Sequence, residues 1–192
     1  MYKFDCKTST LFTDFYELTM AQGYWKNNMD CPAVFDMFFR RNPFKGGFAV
    51  FAGLETLIDA LTDFTFSESD IEYLKSVGIF EQGFLDYLKD FKFTGTLYAQ
   101  EEGSIVFPNE PLIRIHANLI EAQIIEGLVL NHINFQTLIA TKSTRVWLAS
   151  KKGSIMEFGL RRAQGPNGAM SASRAAYIGM AGGTSNTLAG KE

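Results

Sequence analysis

The sequence is poor in the residues that usually announce chemistry. It holds two histidines and two cysteines in 192 residues. His116 and His132 show neither the HExxH spacing of a zinc-binding helix nor a recognisable Cys or Asp partner, so both read as structural residues. Cys6 and Cys31 fit no metal-ligand spacing and, in a reducing compartment, are expected as free thiols. No serine sits in a G-x-S-x-G elbow. Apolar runs of about 18 residues are missing, which excludes an ordinary membrane-spanning helix, and the first residues, "MYKFDCKTST", lack the apolar core of a signal peptide. Lys and Arg are scattered over a chain of net charge -3, with no basic stripe for a phosphate backbone. The expectation is a soluble, cytoplasmic protein with neither nucleic acid nor membrane as a partner.

What is present is an ordinary globular balance, 46% hydrophobic and 20% charged, with 18 Phe against 7 Tyr and 2 Trp. Much of the core should therefore be ring packing. "TDFYELTMAQGYW" places Phe15, Leu18, Met20 and Ala21 at near-helical spacing, with Thr13 or Asp14 as N-cap and Gly23 near the end. "CPAVFDMFFRRNPF" reads as a strand closed by Asn42-Pro43, and "KGGFAVFAG" as a second short one. "LETLIDAL" is a helix with Leu54, Leu57, Ile58 and Leu61 on one face. "SDIEYLKSVG" offers Ser69 and Glu72 as a capping box and stops at Gly78, and "GFLDYLKDF" is a further helix. Segments 95 to 100, 104 to 107 and "LIRIH" look like strands of an antiparallel sheet.

From Leu119 to about Lys151 the spacing predicts a long helical stretch, with a break near Asn131 to Asn134. A β-loop-α, β-loop-α rhythm follows: strand 154 to 159, a turn at "GPNG", helix "SASRAAYIG", then "AGGTSN" leading into a helical "TLAGKE". Such alternation predicts parallel strands, with ligands at their carboxyl ends. The fold class is thus α/β: an N-terminal α+β domain over residues 1–118, a connecting helical segment over 119–152, and over 153–192 the first strands and helices of a parallel sheet or barrel. A closed barrel takes about 250 residues, so a barrel begun here is an incomplete α/β barrel.

Two loops sit where a ligand would lie. In "EFGLRRAQGPNG" the adjacent Arg161 and Arg162 are planar donor forks suited to carboxylate or phosphate, or else structural ion-pair partners. In "GGTSNT" Gly182 and Gly183 permit close backbone approach, and Thr184, Ser185 or Asn186 could cap the next helix and leave amides for an anion; a plain helix start is the alternative. The segment is not a P-loop. Ser185 takes the place of the first glycine, and Glu192 stands where Ser or Thr would hold magnesium. Tyr16, on the first helix, reads as a core edge unless something outside the helix gives it a stacking role.

Four stretches together, "FTDFYELTMAQGYW", "NFQTLIATKSTRV", "EFGLRRAQGPNG" and "GGTSNTLAGKE", resemble the nicotinate phosphoribosyltransferase family in content and order. The resemblance implies an α/β sandwich domain and an irregular α/β barrel. It also implies a reaction, nicotinate and 5-phosphoribosyl 1-diphosphate giving nicotinate mononucleotide, coupled to ATP hydrolysis through a phosphohistidine with magnesium, in NAD salvage. By motif, Tyr16 would stack on the pyridine ring, in the neighbouring subunit's site of a homodimer. Arg161 would line the nicotinate and phosphoribosyl pocket with Phe158 and Arg162 beside it, and Thr184, Ser185 and Asn186 would form a second loop. No catalytic residue is assigned, because the family's phosphohistidine would follow Glu192. The alternatives are a nicotinamide or quinolinate phosphoribosyltransferase, or a non-catalytic truncated dimerisation module.

Overall fold

A computed structural model describes residues 9–192; Cys6 lies outside them. The chain divides into two compact units, each assembled from three stretches: Met1–Asp36, Leu57–Tyr98 and Arg114–Leu130 form the first, and Met37–Thr56, Ala99–Ile113 and Asn131–Glu192 the second.

The first unit begins with helix α1 (Phe15–Lys26), entered from Asp14, which makes no side-chain cap bond. Strand β1 (Pro32–Met37) follows, and helices α2 (Leu54–Thr62), α3 (Glu68–Val77) and α4 (Gln82–Lys89) come after the excursion into the second unit. Strands β3 (Thr96–Ala99) and β5 (Ile113–Asn118) join β1 in a three-stranded sheet of order β1-β5-β3. The short helix α5 (Leu119–Ile124) and the first turn of α6 (Glu126–Ala149) complete it. Its core is aromatic, as the Phe count suggests. Phe64, Phe66 and Phe91 meet edge to face with centroids 5.7–6.5 Å apart, and Phe84 lies 5.9 Å from Trp25. Each such pair adds roughly 1 kcal/mol beyond the area it buries.

In the second unit, strand β2 (Ala49–Val50) pairs antiparallel with β4 (Ile105–Val106). The remaining donors of β2 are met by threonines of α6. Val50 N–H donates to Thr141 Oγ1 at 2.8 Å and Ala52 N–H to Thr137 Oγ1 at 3.2 Å. Ala52, Ala140 and Ala175 are fully buried around this contact, and their small side chains let the strand and α6 approach helix α7 (Gly165–Ile178). Arg174 of α7 forks onto Glu102 at 2.6 and 3.0 Å and reaches Glu55 and Gln136. Burial alone would raise the Glu102 carboxyl, but Arg174 and the N–H groups of Gly53 and Leu54 outweigh it and hold it ionised below its ordinary value. Strands β6 (Met156–Glu157) and β7 (Gly183–Thr184) pair in parallel.

The α+β reading of the early chain and the parallel pair at its end hold, while several details differ. The capping box is Ser67 with Asp70: Ser67 Oγ accepts from Asp70 N–H at 3.2 Å and Asp70 Oδ2 accepts from Ser67 N–H at 2.8 Å, so the N-cap lies two residues before Ser69 and α3 begins at Glu68. The helical break falls at Ile125, between α5 and α6. Ile58 is 49% exposed, leaving Leu57 and Leu61 to face the core. β4 pairs with β2 and not with β3 or β5. Strand 154–159 shrinks to two residues. "GPNG" is the first turn of α7: Gly165 makes the entry at φ 77°, which glycine takes without steric cost, and Pro166 occupies a position where a missing N–H costs nothing. "TLAGKE" forms turns rather than a helix.

Candidate functional site

The parallel register Met156↔Gly183 and Glu157↔Thr184 makes both following loops leave from the same end of the pair. Main-chain bonds continue the ladder on either side, Gly182 N–H to Ile155 O at 2.9 Å and Ser185 N–H to Glu157 O at 2.8 Å. The first loop exposes Phe158 by 60% and then tightens into a single 3-10 turn, Leu160–Arg162, closed by Arg162 N–H on Gly159 O at 2.8 Å. Because the strand ends at Glu157, Arg161 and Arg162 do not alternate across a sheet; they sit together on this turn. Both are exposed, and neither makes an ion pair among the described residues. Among the described residues, then, two guanidinium forks face solvent beside an exposed ring.

The second loop is more inward than the sequence suggests. Thr184 Oγ1 donates to Glu157 Oε2 at 2.6 Å, Asn186 N–H donates to Thr184 Oγ1 at 3.0 Å, and Asn186 is buried with its Oδ1 facing Ala189 N–H at 3.4 Å. Of the three residues, Ser185 alone is exposed. Two amides expected to wait for an anion, those of Ser185 and Asn186, are already engaged within the loop and strand.

Tyr16 belongs to the first unit, whereas Phe158, Arg161, Arg162, Thr184, Ser185 and Asn186 all belong to the second. It is not a core edge: its ring is 49% exposed, in a stripe with Phe12, Phe15 and Met20 at 46%, 50% and 41%. Desolvation first, then the carboxylates of Glu126, Glu17 and Asp14, raise its phenol above the ordinary value, so the hydroxyl stays protonated. Next to it Glu17 is fully buried; Oε2 accepts from Thr13, while Oε1 has no partner among the described residues. Burial pushes this carboxyl up, with Glu126 and Asp14 adding to the effect against the Thr13 bond. His116 stacks edge-on against Tyr98 at 5.3 Å, and His132 lies on α6. Cys31 is an exposed free thiol.

Two groups escaped the sequence reading. Glu157 is one; a lone acid before "FGLRR" carries no signal until its three donors are seen. The other is cationic: Lys142 Nζ lies 4.6 Å and Arg145 Cζ 5.9 Å from the ring centre of Phe44, next in sequence to exposed Arg40 and Arg41. Far from Phe44 in sequence, Lys142 and Arg145 are brought to its ring by the fold.

With the geometry established, the comparisons decide the family. The model described as the nicotinate phosphoribosyltransferase (NAPRTase) N-terminal domain matches residues 11–134. This chain belongs to the nicotinate phosphoribosyltransferase family. It is 50% identical over 183 residues to nicotinate phosphoribosyltransferase of Dictyostelium discoideum, covering 93% of this chain and 31% of the relative. It is 46% identical to that of Bacillus subtilis, covering 99% and 39%. The crystal structure of human nicotinic acid phosphoribosyltransferase superposes with a TM-score of 0.86 at 38% identity, over 93% of this chain and 37% of that one. A nicotinate-nucleotide pyrophosphorylase from Pyrococcus furiosus shares the fold, with a TM-score of 0.77 at 23% identity. The chain therefore spans between about a third and two fifths of the length of these relatives. Among the described residues no helix is long and apolar enough to cross a membrane.

Proposed function

We propose that this chain supplies the N-terminal part of a nicotinate phosphoribosyltransferase. The enzyme forms nicotinate mononucleotide and diphosphate from nicotinate and 5-phosphoribosyl 1-diphosphate, with coupled ATP hydrolysis, in cytoplasmic NAD salvage. The observation that carries the proposal is a pair of exposed guanidinium groups, without an ion pair among the described residues, at the end of a parallel strand pair in a chain of this family. Arg161 takes the nicotinate carboxylate as a fork-to-fork pair, Arg162 faces the phosphates, and Phe158 offers a ring face to the pyridine. Ser185 lies at the edge of the same mouth, while Thr184 and Asn186 shape its loop from within. Tyr16, exposed with its apolar neighbours, stacks on the pyridine in a partner copy's site, making the homodimer the working unit. The glycosyl transfer passes through an oxocarbenium-like state, so the protein's share is positioning and charge stabilisation.

Magnesium does not find a cage in these residues: among those described, no three His, Cys, Asp or Glu side chains converge on one point. The ion takes phosphate oxygens readily, which suits arrival with the diphosphate. The exposed carboxylate-binding fork favours nicotinate over the nicotinamide alternative, whose ring substituent carries no charge. Offering nicotinate, nicotinamide and quinolinate in turn, with 5-phosphoribosyl 1-diphosphate and ATP, to the enzyme carrying this chain tests the reading. Nicotinate should be consumed fastest, and a preference for either rival overturns it. The 192-residue chain by itself should bind nicotinate without ATP-dependent turnover; a robust rate from it would refute the assignment of catalysis to later residues.

A further inference from the structure

We propose that Glu157 is a positioning residue for this site: its carboxylate fastens the arginine loop, helix α7 and the second loop to one another, using neutral donors only, so that Arg161 and Arg162 remain free for an anionic ligand. The role rests on the nicotinate reading for its ligand, but its structural half stands by itself.

The geometry is specific. Glu157 is the last residue of β6, directly opposite Thr184 in the parallel register. Oε1 accepts the N–H of Gly159, the first amide of the turn that carries both arginines. Oε2 accepts Thr184 Oγ1 at 2.6 Å and Ser173 Oγ, from α7, at 2.9 Å. The two hydroxyls are themselves 3.3 Å apart, and Ser173 also lies 3.0 Å from Ala169 O. Ser173 is buried and Thr184 half-buried, so the brace is largely shielded from solvent.

An acid beside an anion site is an electrostatic oddity, because it would ordinarily pair with the nearest guanidinium and neutralise it. Here the nearest donors are an amide and two hydroxyls, and the arginines one turn later carry no acid partner among the described residues. A charged acceptor makes stronger hydrogen bonds than a neutral one, which suits a tie that must hold three segments. The same bonds occupy three of the roughly four lone-pair sites that Arg161 or Arg162 would seek. A short strand pair of two residues each has little ladder of its own, so the side-chain tie is what fixes the spacing of the loops.

The test uses the enzyme carrying this chain in four forms: wild type, Glu157→Gln, Glu157→Ala, and the double variant Ser173→Ala with Thr184→Val. Amide hydrogen exchange at Gly159 and Ser185 reports the two loops, and calorimetric titration with nicotinate reports the site. Glu157→Ala should speed exchange in both loops together and weaken nicotinate binding by roughly tenfold or more, the size expected when hydrogen bonds to a charged group are lost. Glu157→Gln, which keeps an acceptor for Gly159 and a polar partner for hydroxyls that can turn round, should recover most of both effects. A merely structural role would lower the melting temperature without this paired loop response or its recovery. Exchange that changes in one loop only, or in neither, overturns the proposal, and the double variant decides the point if Glu157→Ala fails to fold. Should the wild type bind no nicotinate while both loops still respond, the nicotinate reading fails and the brace stands. If the wild type binds and Glu157→Ala binds equally well, the positioning role fails and the reading survives.

Discussion

At the scale of single residues, two carboxyls in this chain are displaced in opposite directions, and each makes a pH prediction of opposite sign. Glu17 is fully buried with one oxygen unpartnered among the described residues, and its pKa is raised by burial. A folded value above the unfolded one means stability that is present at low pH and lost as pH rises through the folded value. The melting temperature of the wild type should therefore fall relative to Glu17→Gln as pH is raised from about 4.5; a gap that stays constant with pH contradicts this. Glu157 is the reverse case. Burial would raise it, but Thr184, Gly159 and Ser173 bring it below the ordinary value. Its contribution is complete above that value and is lost on acidification, so wild type and Glu157→Gln should converge in stability as pH drops below about 4. Arg161 makes the binding prediction: Arg161→Ala should cost about 2 kcal/mol, some thirtyfold in the nicotinate dissociation constant, and Arg161→Lys less, as measured by titration calorimetry. The placement of the two arginines on a loop after a strand was legible from residue type and spacing, whereas Phe158 entered only through the family resemblance. Glu157, Ser173 and the Phe44 cation group were not legible, because their meaning lies in partners 16, 27 or about a hundred residues away.

At the scale of elements, Ser67 rather than Ser69 caps α3. Ser67→Ala should destabilise the protein by about 1 kcal/mol in chemical denaturation, while Ser69→Ala should change it little. The box was misplaced because Asp at the third helical position closes it as well as Glu does, and spacing alone does not choose between two overlapping serines. Gly53 shows a constraint of another kind. Its φ is 108°, and an added Cβ would stand 2.6 Å from the carbonyl oxygen of His132 on α6. Gly53→Ala should cost roughly 2–3 kcal/mol by the same measurement. Helices were read well where an apolar face and a stop residue coincide, as in α4 and at Gly78. The strand before the arginines was read too long and α7 was started late, since Gly165-Pro166 serves equally as a loop and as a helix start, and only the packing of Ala169, Ala175 and Ala176 settles it.

For the whole molecule, two interleaved units emerge from a chain whose composition suggested only an aromatic core. Interleaving is invisible to local pattern, because it depends on where the chain leaves a unit and returns to it. The family, by contrast, was legible from four motifs in order, and the match over residues 11–134 with 50% identity to a relative bears it out. The claim on which the account turns is that a free guanidinium at position 161 selects a pyridine bearing a carboxylate. Equilibrium dialysis of labelled nicotinate and nicotinamide, with the wild type and with Arg161→Ala, measures this directly. Nicotinate should be retained well above nicotinamide by the wild type, and that preference should vanish in the variant. Equal retention of both by the wild type, or a preference untouched by the substitution, would contradict it.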